Sequence, residues 1–275
     1  MNIAQTLASA QTLGVARLDA QLLLLHALGR AGNERAWLIA HDTDAVPDAA
    51  SAAFMEHVRR RVDGEPVAYI VGAKEFLGLD LQVDARVLVP RPETETLVEW
   101  GLESISGISG ASVLDLGTGS GAIALAIKHG RPDAAVTSAD ASADALLVAR
   151  ANARRLMLDV AFLHGSWFGP VRGQHHLIVS NPPYVPEQDP HLTALAHEPL
   201  QALASGADGL DDIREIVVHA PQHLYQGGWL LLEHGYDQAP AVRALLSQAG
   251  FAHIQSRVDL AGIERCSGGQ WPARG

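Results

Sequence analysis

Cysteine, aromatic residues and basic charge are all scarce in this chain of 275 residues. The one cysteine, Cys266, excludes an intramolecular disulfide and suits a reducing compartment. Lysine and arginine number 20 against 31 acidic residues, a formal net charge of −11. Such an acidic chain is poorly suited to nucleic acid, whose binding depends largely on neutralising phosphates. Neither a secretory signal nor an apolar run of membrane-spanning length is found, so we expect a soluble cytoplasmic protein that does not engage a membrane.

Apolar residues, by contrast, are abundant at 48%, and only 19% of residues are charged. This composition supports a sizeable core and excludes a disordered chain. The length is comfortable for two domains, since domains cluster near 100–150 residues. Residues 13–25 and 51–62 carry apolar side chains at helical spacing, which predicts a helical N-terminal part. Between residues 69 and 89, short alternating runs broken by glycine predict a β-hairpin or an extended linker.

From residue 111 on, predicted strands and helices alternate. The runs ASVLDLG, AVTSAD, VAFLHG, HLIVSN and GWLLLEHG predict strands, and one of the intervening helices is predicted around residues 213–224. Such alternation implies a mostly parallel sheet covered on both faces, which is an α/β fold. We divide the chain into a helical domain (1–72), a β-hairpin linker (73–92) and an α/β domain (93–275).

A glycine-rich turn follows the first of these strands, in the segment DLGTGSGAIALAI. Its residues Gly117, Thr118, Gly119, Ser120 and Gly121 open a helix, where free backbone amides allow a ligand to approach closely. Ligands of open parallel sheets lie beyond the carboxyl ends of the strands. The next strand ends there with an acid suited to a ribose diol, Asp140. The same turn also satisfies the dinucleotide fingerprint, so it predicts a small-molecule site without identifying the molecule.

The tetrapeptide NPPY, Asn181 to Tyr184, directly follows the fourth strand and projects from the same sheet edge. Methylating an amide nitrogen requires acceptors for its N–H groups, because resonance delocalises the lone pair. The Asn181 side-chain oxygen is one such acceptor. The two prolines, Pro182 and Pro183, fix an extended backbone and leave the Pro182 carbonyl as a second acceptor, and Tyr184 offers a flat face to a planar group. No requirement of a dehydrogenase explains this tetrapeptide.

Together these motifs resemble the protein-(glutamine-N5) methyltransferases that modify peptide chain release factors. The resemblance extends over nearly the whole chain. It is carried by PRPETE (90–95), DLGTGSGAIALA (115–126), Asp140, GSWF (165–168), NPPY (181–184), EPLQALASGADGL (198–210) and LLLEHG (230–235).

This resemblance implies a Rossmann-like class I methyltransferase domain, preceded by a small all-helical domain and a β-hairpin connector. It implies S-adenosyl-L-methionine as cofactor, no metal, and the glutamine of a Gly-Gly-Gln motif in release factors as acceptor. The cofactor would be bound by Gly117, Thr118, Gly119, Ser120, Gly121, Asp140, Trp167 and Asn181. The substrate would be bound by Asn181, Pro182, Pro183 and Tyr184, with Asn181, Pro182 and Tyr184 in catalytic roles. Residues 1–72 would recognise the release factor.

Alternatives remain at this point. The first is an amino-methyltransferase acting on a base of DNA or RNA, which the acidic balance disfavours. The others are a nicotinamide-dependent dehydrogenase and a non-catalytic cofactor-binding or ribosome-associated protein. His219 and His223 have metal-ligand spacing, but Pro221 lies between them and no carboxylate or cysteine pattern accompanies them. The chain also contains its own Gly-Gly-Gln at residues 268–270, which we attribute to chance, and the apolarity of the last strand is low for the family.

Overall fold

The computed structural model describes residues 1–273, and the chain divides into two compact units, residues 1–73 and residues from 74 onward. The first unit is helical, as predicted. Its helices are α1 (Ile3–Thr12), α2 (Arg17–Ala27), α3 (Arg35–Ala40), α4 (Asp48–Val62) and α5 (Val67–Val71). The fully buried side chains of Leu23, Leu24 and Phe54 lie in its own hydrophobic core.

The apolar pattern over residues 13–25 begins in the turn between two helices. Helix α1 ends at Thr12, and α2 begins only at Arg17. Gly14 separates them with a φ of 89°, a left-handed conformation that interrupts a right-handed helix. The first helix begins with a capping box, in which Asn2 and Gln5 exchange side-chain hydrogen bonds with each other's backbone amides.

The second unit contains a hairpin and an α/β domain. The hairpin consists of β1 (Ala73–Phe76) and β2 (Leu79–Gln82). The remaining elements are α6 (Glu95–Ser104), β3 (Ser112–Leu116), α7 (Ala122–Gly130), β4 (Ala135–Asp140), α8 (Ala143–Leu156), β5 (Ala161–His164), β6 (His175–Ser180), α9 (Asp211–His219), β7 (Leu224–Glu233), α10 (Ala239–Gln248), β8 (Ala252–Val258) and β9 (Glu264–Gln270).

Seven of these strands form one sheet in the order β5-β4-β3-β6-β7-β9-β8. The first five are parallel to one another, and β9 is antiparallel to both β7 and β8. The chain runs outward from β3 through β4 and β5, then returns to the other side of β3 with β6. This reversal leaves a crevice at the carboxyl ends of β3 and β6, where α/β sheets bind ligands. The predicted α/β fold with a mostly parallel sheet is confirmed.

Both faces of the sheet are buried, because successive residues of a strand point to opposite sides. Val113 of β3 belongs to the core formed with α6 and α7, which includes Trp100 and Ile127. Leu114, its neighbour, belongs to the core formed with α9 and α10. Near-continuous apolar strands therefore result from burial on two sides rather than from one-sided alternation.

One predicted boundary near the end of the chain needs correction, and the last strand forms although its composition made it doubtful. The helix predicted over residues 213–224 ends at His219, and a short 3-10 turn containing Pro221 follows, since proline cannot continue an α-helix. The last strand does form despite its low apolarity. It is β9, and Gly268, Gly269 and Gln270 pair there with β7.

Candidate active site

A cavity of about 240 Å³ lies at the carboxyl ends of β3, β4 and β6. The predicted site residues that line it are Gly117, Thr118, Gly119, Ser120, Asp140, Trp167, Asn181 and Pro183. Gly121, Pro182 and Tyr184, among the described residues predicted for the site, do not line it. Lining residues to which the sequence analysis gave no role include Arg86, Arg91, Thr94 and Asp212.

The glycine-rich loop is held in place by β4 and by the end of β3. The backbone N–H groups of Gly117 and Thr118 donate to the Ala139 carbonyl, at 2.9 and 3.1 Å. The Thr118 hydroxyl donates to the buried carboxyl of Asp115 at 2.6 Å. Burial raises the pKa of Asp115 to about 7. These contacts fix the side of the loop that faces β3 and β4, and its opposite side borders the cavity.

Two of the loop glycines serve different purposes. Gly117 has a φ of 72°, and a Cβ there would lie 3.4 Å from the Trp167 ring, which covers it. Gly121 has a φ of 86° and precedes α7, and a Cβ there would lie 3.0 Å from Leu125 and 3.3 Å from Ala149. Gly117 thus lets the backbone reach the cavity wall, whereas Gly121 allows close packing behind the loop.

Asp140 points its carboxylate at the loop from the end of β4. Its Oδ2 accepts the N–H of Gly119 and its Oδ1 accepts the N–H of Ser142, both at 2.8 Å. Burial raises its pKa, and the two backbone hydrogen bonds partly offset that effect. Each carboxylate oxygen can accept a second hydrogen bond, so the group can also bind two hydroxyls in the cavity.

Trp167 adopts a backbone conformation that tryptophan seldom adopts. Its φ is 41°, in the left-handed region that disfavours bulky side chains. Strain of this kind persists only where the surroundings hold the residue in place. The indole lies over Gly117, lines the cavity and also packs against the core of α9 and α10. Trp167 is therefore both a packed aromatic and a wall of the cavity.

Asn181 lies between the loop and the segment before α6. Its Nδ2 donates to the Thr94 hydroxyl at 3.3 Å, and Thr94 is buried. This leaves Oδ1 of Asn181 without a hydrogen-bond partner among residues 1–273, on a side chain that lines the cavity. Thr94 was not predicted as a site residue, although it lies in the segment PRPETE on which part of the resemblance rests.

Tyr184 does not line the cavity and is held by residues behind the cavity wall. Its hydroxyl donates to Oε1 of Glu233, at the end of β7, at 3.3 Å. Its backbone carbonyl accepts the side-chain amide of Gln238 at 3.0 Å. Burial raises the pKa of Tyr184, and the neighbouring Glu233 charge raises it further. Burial also raises the pKa of Glu233 to about 7, while the nearby hydroxyls of Thr94 and Tyr184 lower it.

A buried ion pair fastens the long connection after NPPY to the segment before α6. The Glu198 carboxylate pairs with the Arg91 guanidinium and accepts the backbone N–H of Val89 at 3.1 Å. Glu198 is buried, while Arg91 is partly exposed and lines the cavity. The sequence placed both residues in family-type segments, but their pairing depends on the fold and could not be predicted.

The described residues offer no metal cluster and no membrane span. Among residues 1–273, no group of three or more His, Cys, Asp or Glu side chains is placed to hold a metal ion. His223 instead stacks on Phe168, with ring centroids 4.6 Å apart. Across the same residues, no helix combines the length and apolarity needed to cross a bilayer.

Comparison with known proteins identifies the family. The profile of the methyltransferase small domain matches residues 102–249, and that of the PrmC N-terminal domain matches residues 2–72. The release factor glutamine methyltransferase of Bordetella pertussis strain Tohama I is 50% identical over 260 residues, covering 93% of this chain and 95% of that protein. The chain belongs to the release factor glutamine methyltransferase family.

Further relatives agree with this assignment. The family member from Xylella fastidiosa strain Temecula1 is 47% identical over 270 residues, covering 97% of each chain. A methyltransferase structure from Pyrococcus furiosus superimposes with a TM-score of 0.56 at 18% identity, covering 79% of this chain and 99% of that one, which shows the fold alone.

The family assignment confirms several predictions made from the sequence. The resemblance is confirmed, and so is the class I methyltransferase domain. The chain is an S-adenosyl-L-methionine-dependent methyltransferase. The nicotinamide-dependent dehydrogenase, which the glycine pattern alone left open, is therefore not the function of this site.

Proposed function

We propose that this enzyme transfers a methyl group from S-adenosyl-L-methionine to the side-chain amide nitrogen, N5, of the glutamine in the Gly-Gly-Gln motif of peptide chain release factors. Relatives 45–50% identical over nearly the whole chain, each named a release factor glutamine methyltransferase, support the acceptor. The observation that carries the proposal is Asn181. Its amide lines the same cavity as the glycine loop, with Nδ2 engaged by Thr94 and Oδ1 unpaired.

The cofactor would lie along the glycine loop. Gly117, Thr118, Gly119 and Ser120 would border it, Gly121 would allow the loop to pack closely behind it, and Trp167 would form the facing wall. Asp140 would accept the two ribose hydroxyls through the lone pairs that its backbone contacts leave free. The absence of side chains at Gly117 and Gly119 and this carboxylate fit an adenosyl group. When bound, the cofactor supplies an electrophilic methyl on a sulfonium.

The acceptor amide requires help from the protein because its nitrogen lone pair is delocalised, as an amide rotation barrier of about 18–20 kcal/mol indicates. The Asn181 Oδ1 and the Pro182 carbonyl would accept the two N–H groups and direct the lone pair at the methyl. Pro183 and Tyr184 would support the planar group. The acceptor nitrogen would gain the methyl group that the cofactor supplies, and one N–H proton would leave to solvent in exchange. These acceptors bind the transition state best, because positive charge on the nitrogen strengthens its N–H donors.

The three parts of the chain would have different roles in the reaction. Residues 1–72 would recognise the release factor, residues 73–92 would connect, and residues 93–275 would carry the cofactor and acceptor sites. Support for the separate role of residues 1–72 comes from position, since the cavity-lining residues all lie from Arg86 onward; five of them, at positions 86–88, 90 and 91, belong to the connecting segment. The match of residues 2–72 to a separate N-terminal family profile agrees with this division.

Labelled methyl transfer tests the proposal directly. The enzyme is incubated with methyl-labelled cofactor and, in separate reactions, with release factor, with release factor whose motif glutamine is replaced by glutamate, and with total RNA and DNA. We expect label only in the unaltered release factor. Label in nucleic acid instead would identify a base amino-methyltransferase, and label in the glutamate variant would place the acceptor elsewhere on the protein.

A further inference from the structure

Gln238 is a half-buried amide in the turn between β7 and α10, and the proposed transfer assigns it no role. Its Oε1 accepts the backbone N–H of Gly235 at 2.8 Å. Its Nε2 donates to the Tyr184 carbonyl oxygen at 3.0 Å and to the Asp208 carbonyl oxygen at 3.2 Å. This side chain thus joins three backbone segments, which are the turn after β7, the end of NPPY and the end of the connection 185–210.

The partners of this amide allow it only one orientation. A backbone N–H can only donate, so the Gly235 N–H requires the side-chain oxygen of Gln238. Carbonyl oxygens can only accept, so Tyr184 and Asp208 require the NH2 group, which has one hydrogen for each of them. With the amide reversed, all of these hydrogen bonds would be lost. The side chain is therefore fixed by its partners and can hold them in place.

The turn that carries Gln238 is anchored in the core on both sides. The backbone N–H of His234 donates to the Arg265 carbonyl of β9 at 2.9 Å, and the buried His234 ring lies 2.8 Å from the Ser267 hydroxyl oxygen. The backbone carbonyl of Gln238 accepts the N–H of Val242, whose side chain is buried beneath α10. The amide of Gln238 therefore extends from a well-anchored part of the fold.

The end of the connection packs directly on the carbonyl that Gln238 holds. Gly209 is buried with a φ of 76°, and a Cβ there would lie 2.2 Å from the Tyr184 carbonyl oxygen and 2.8 Å from Nε2 of Gln238. Such distances leave no room for a side chain, so only glycine permits this approach. The end of NPPY, the end of the connection and Gln238 therefore meet at one close-packed junction.

A displaced Tyr184 carbonyl would also displace the proposed acceptors. Pro182 and Pro183 have fixed φ angles, so the backbone between Tyr184 and Asn181 has little freedom to absorb a shift. The Asn181 Oδ1 and the Pro182 carbonyl are the groups proposed to accept the glutamine N–H groups. Their effect on the rate depends on placement, because a reacting group out of position by about 1 Å can lower a rate by about two orders of magnitude.

We propose that Gln238 is a positioning residue for methyl transfer, which holds the NPPY segment and the end of the connection 185–210 against each other through the Tyr184 and Asp208 carbonyls. Gln238 is not among the described residues that line the cavity, so it acts on the acceptor through NPPY. This inference rests on the proposed transfer to a glutamine amide, in which NPPY presents the hydrogen-bond acceptors.

Two variants of Gln238 test the inference through kcat and KM for release factor. Gln238→Met keeps the length of the side chain but removes its hydrogen bonds, and we expect kcat to fall about tenfold. Gln238→Glu keeps the shape and the acceptor for Gly235. Its carboxyl, with an ordinary pKa of about 4.3, is ionised near neutral pH and would turn an oxygen towards two carbonyl oxygens, so kcat should fall at least as far.

The effect should be confined to kcat. KM for release factor and the cofactor dissociation constant should stay within about threefold of the wild-type values, because residues 1–72 and the glycine loop are unaltered. A side chain that only fills space would give a different result, since Gln238→Glu has the same shape as the wild type and would then keep its activity.

Gln270→Met is the matched control. The Gln270 side-chain amide also donates to a backbone carbonyl, that of Gly227 at 2.8 Å, but near the start of β7, whereas NPPY adjoins the carboxyl end of that strand. This variant should lower the melting temperature and leave kcat within about twofold. A fall in kcat in the Gln238 variants alone distinguishes positioning from a general loss of stability.

Near-wild-type kcat in folded Gln238→Met or Gln238→Glu would overturn the positioning role and leave the proposed function intact. So would a rise in KM for release factor with unchanged kcat, which would assign Gln238 to binding, or an equal fall in kcat in Gln270→Met. If either variant fails to fold, Gln238→Ala replaces it, because water can enter a half-buried gap, and the same fall in kcat is expected. Failure of the wild-type enzyme itself to methylate release factor would instead refute the proposed function.

Discussion

Asn181 and Asp140 lie at the carboxyl ends of β6 and β4, on either side of β3, but should affect different steps. Asn181 presents Oδ1 to the acceptor, so Asn181→Ala removes an interaction that strengthens as charge develops on the nitrogen. By analogy with the loss of one preorganised electrostatic group, kcat should fall on the order of 10²–10³-fold. Cofactor affinity should fall far less, because Asp140 and the loop amides remain.

Asp140→Ala should have the reverse effect. Hydrogen bonds to a charged group contribute about 1.5–3 kcal/mol, so cofactor affinity should weaken roughly ten- to a hundredfold before turnover suffers. Asp144→Ala is the matched control, since this exposed acid at the start of α8 lies outside the cavity. Calorimetric dissociation constants and single-turnover rates check both variants. If Asn181→Ala keeps near-normal turnover, NPPY has no role in methyl transfer and is only a proline-rich loop that follows a strand.

Glu233 should also make stability depend on pH. Burial raises its pKa from 4.5 to about 7, with Glu93 raising it further and Thr94, Tyr184 and Arg265 lowering it. Between these two pH values the folded state binds a proton that the unfolded chain has released. The stabilisation associated with protonated Glu233 is therefore fully present below pH about 4.5 and is lost as the pH rises through about 7. Glu233→Gln removes the ionisation. Its free energy of unfolding should therefore rise relative to wild type between pH 5 and 8, by roughly 3 kcal/mol.

Urea unfolding of both proteins at several pH values measures that difference. Asp115, whose pKa is also raised to about 7, titrates in both proteins and cancels in the comparison. A difference that stays constant from pH 5 to 8 would mean that Glu233 does not titrate in this range.

These residues also show what a sequence reveals about a site. Asn181 and Asp140 were predicted because each stands at the carboxyl end of a strand that the apolar pattern marks. Glu233 also ends such a strand, but an acid inside LLLEHG carries no signal that it will lie beneath Tyr184. Thr94 was missed because its contact with Asn181 depends on where a short 3-10 turn, Pro92–Thr94, meets the sheet. Tertiary contacts of this kind cannot be derived from periodicity.

At the scale of elements, the chain's own Gly-Gly-Gln is part of the sheet. Gly268 lies in β9, where a Cβ would be 2.4 Å from Leu231 Cδ2 and 2.7 Å from the Leu230 carbonyl oxygen. Gln270 donates its side-chain amide to the Gly227 carbonyl at 2.8 Å. This tripeptide therefore serves close packing and strand pairing, and its two glycines and glutamine account for the low apolarity of β9.

Gly268→Ala should lower stability by about 1–3 kcal/mol, because the added methyl forces Leu231 or the β7 backbone to move. Gly107→Ala is the control, since a Cβ there would meet nothing within 4 Å. Thermal melts of the two variants measure the effect. Equal melting temperatures would show that β9 can accommodate a side chain at this position.

The connection after NPPY, residues 185–210, should act as a lid over the acceptor. Its ends are fixed by the bridge between Val185 and Ala204 and by the buried Glu198, whereas residues 187–197 are mostly exposed. Pro199, Gln201 and Ala202 line the cavity, so an occupied site should order the connection. We expect cofactor together with a glutamine-containing peptide to slow limited proteolysis within residues 187–197. Unchanged cleavage would exclude a lid.

The strand pattern was predictable at this scale because burial on both faces produces near-continuous apolar runs. Element ends were less predictable. Gly14 and Pro221 each end a helical pattern that apolar spacing alone would continue, and β9 forms through pairing with two neighbours despite its glycines. The partners of a strand, unlike its apolar periodicity, cannot be read from the sequence of that strand alone.

For the whole molecule, each compact unit has its own core, since the N-terminal cluster and the two sheet-face clusters share no residue. A chain that begins at Gly72 should therefore fold and bind cofactor within about threefold of the full-length affinity, because every cavity-lining residue is retained. Methylation of release factor should fall sharply. Calorimetry and methylation assays measure both, and a folded truncated chain that fails to bind cofactor would contradict the proposed division.

Mass spectrometry of release factor after incubation with this enzyme and S-adenosyl-L-methionine tests the central claim most directly. Peptides that contain the Gly-Gly-Gln motif should gain one methyl increment, and fragmentation should localise it to the glutamine side chain. The increment should require cofactor. It should be nearly absent when the Asn181→Ala variant, in place of the wild-type enzyme, is incubated for the same time. An unmodified glutamine, or a methyl group on any other residue, would contradict the account.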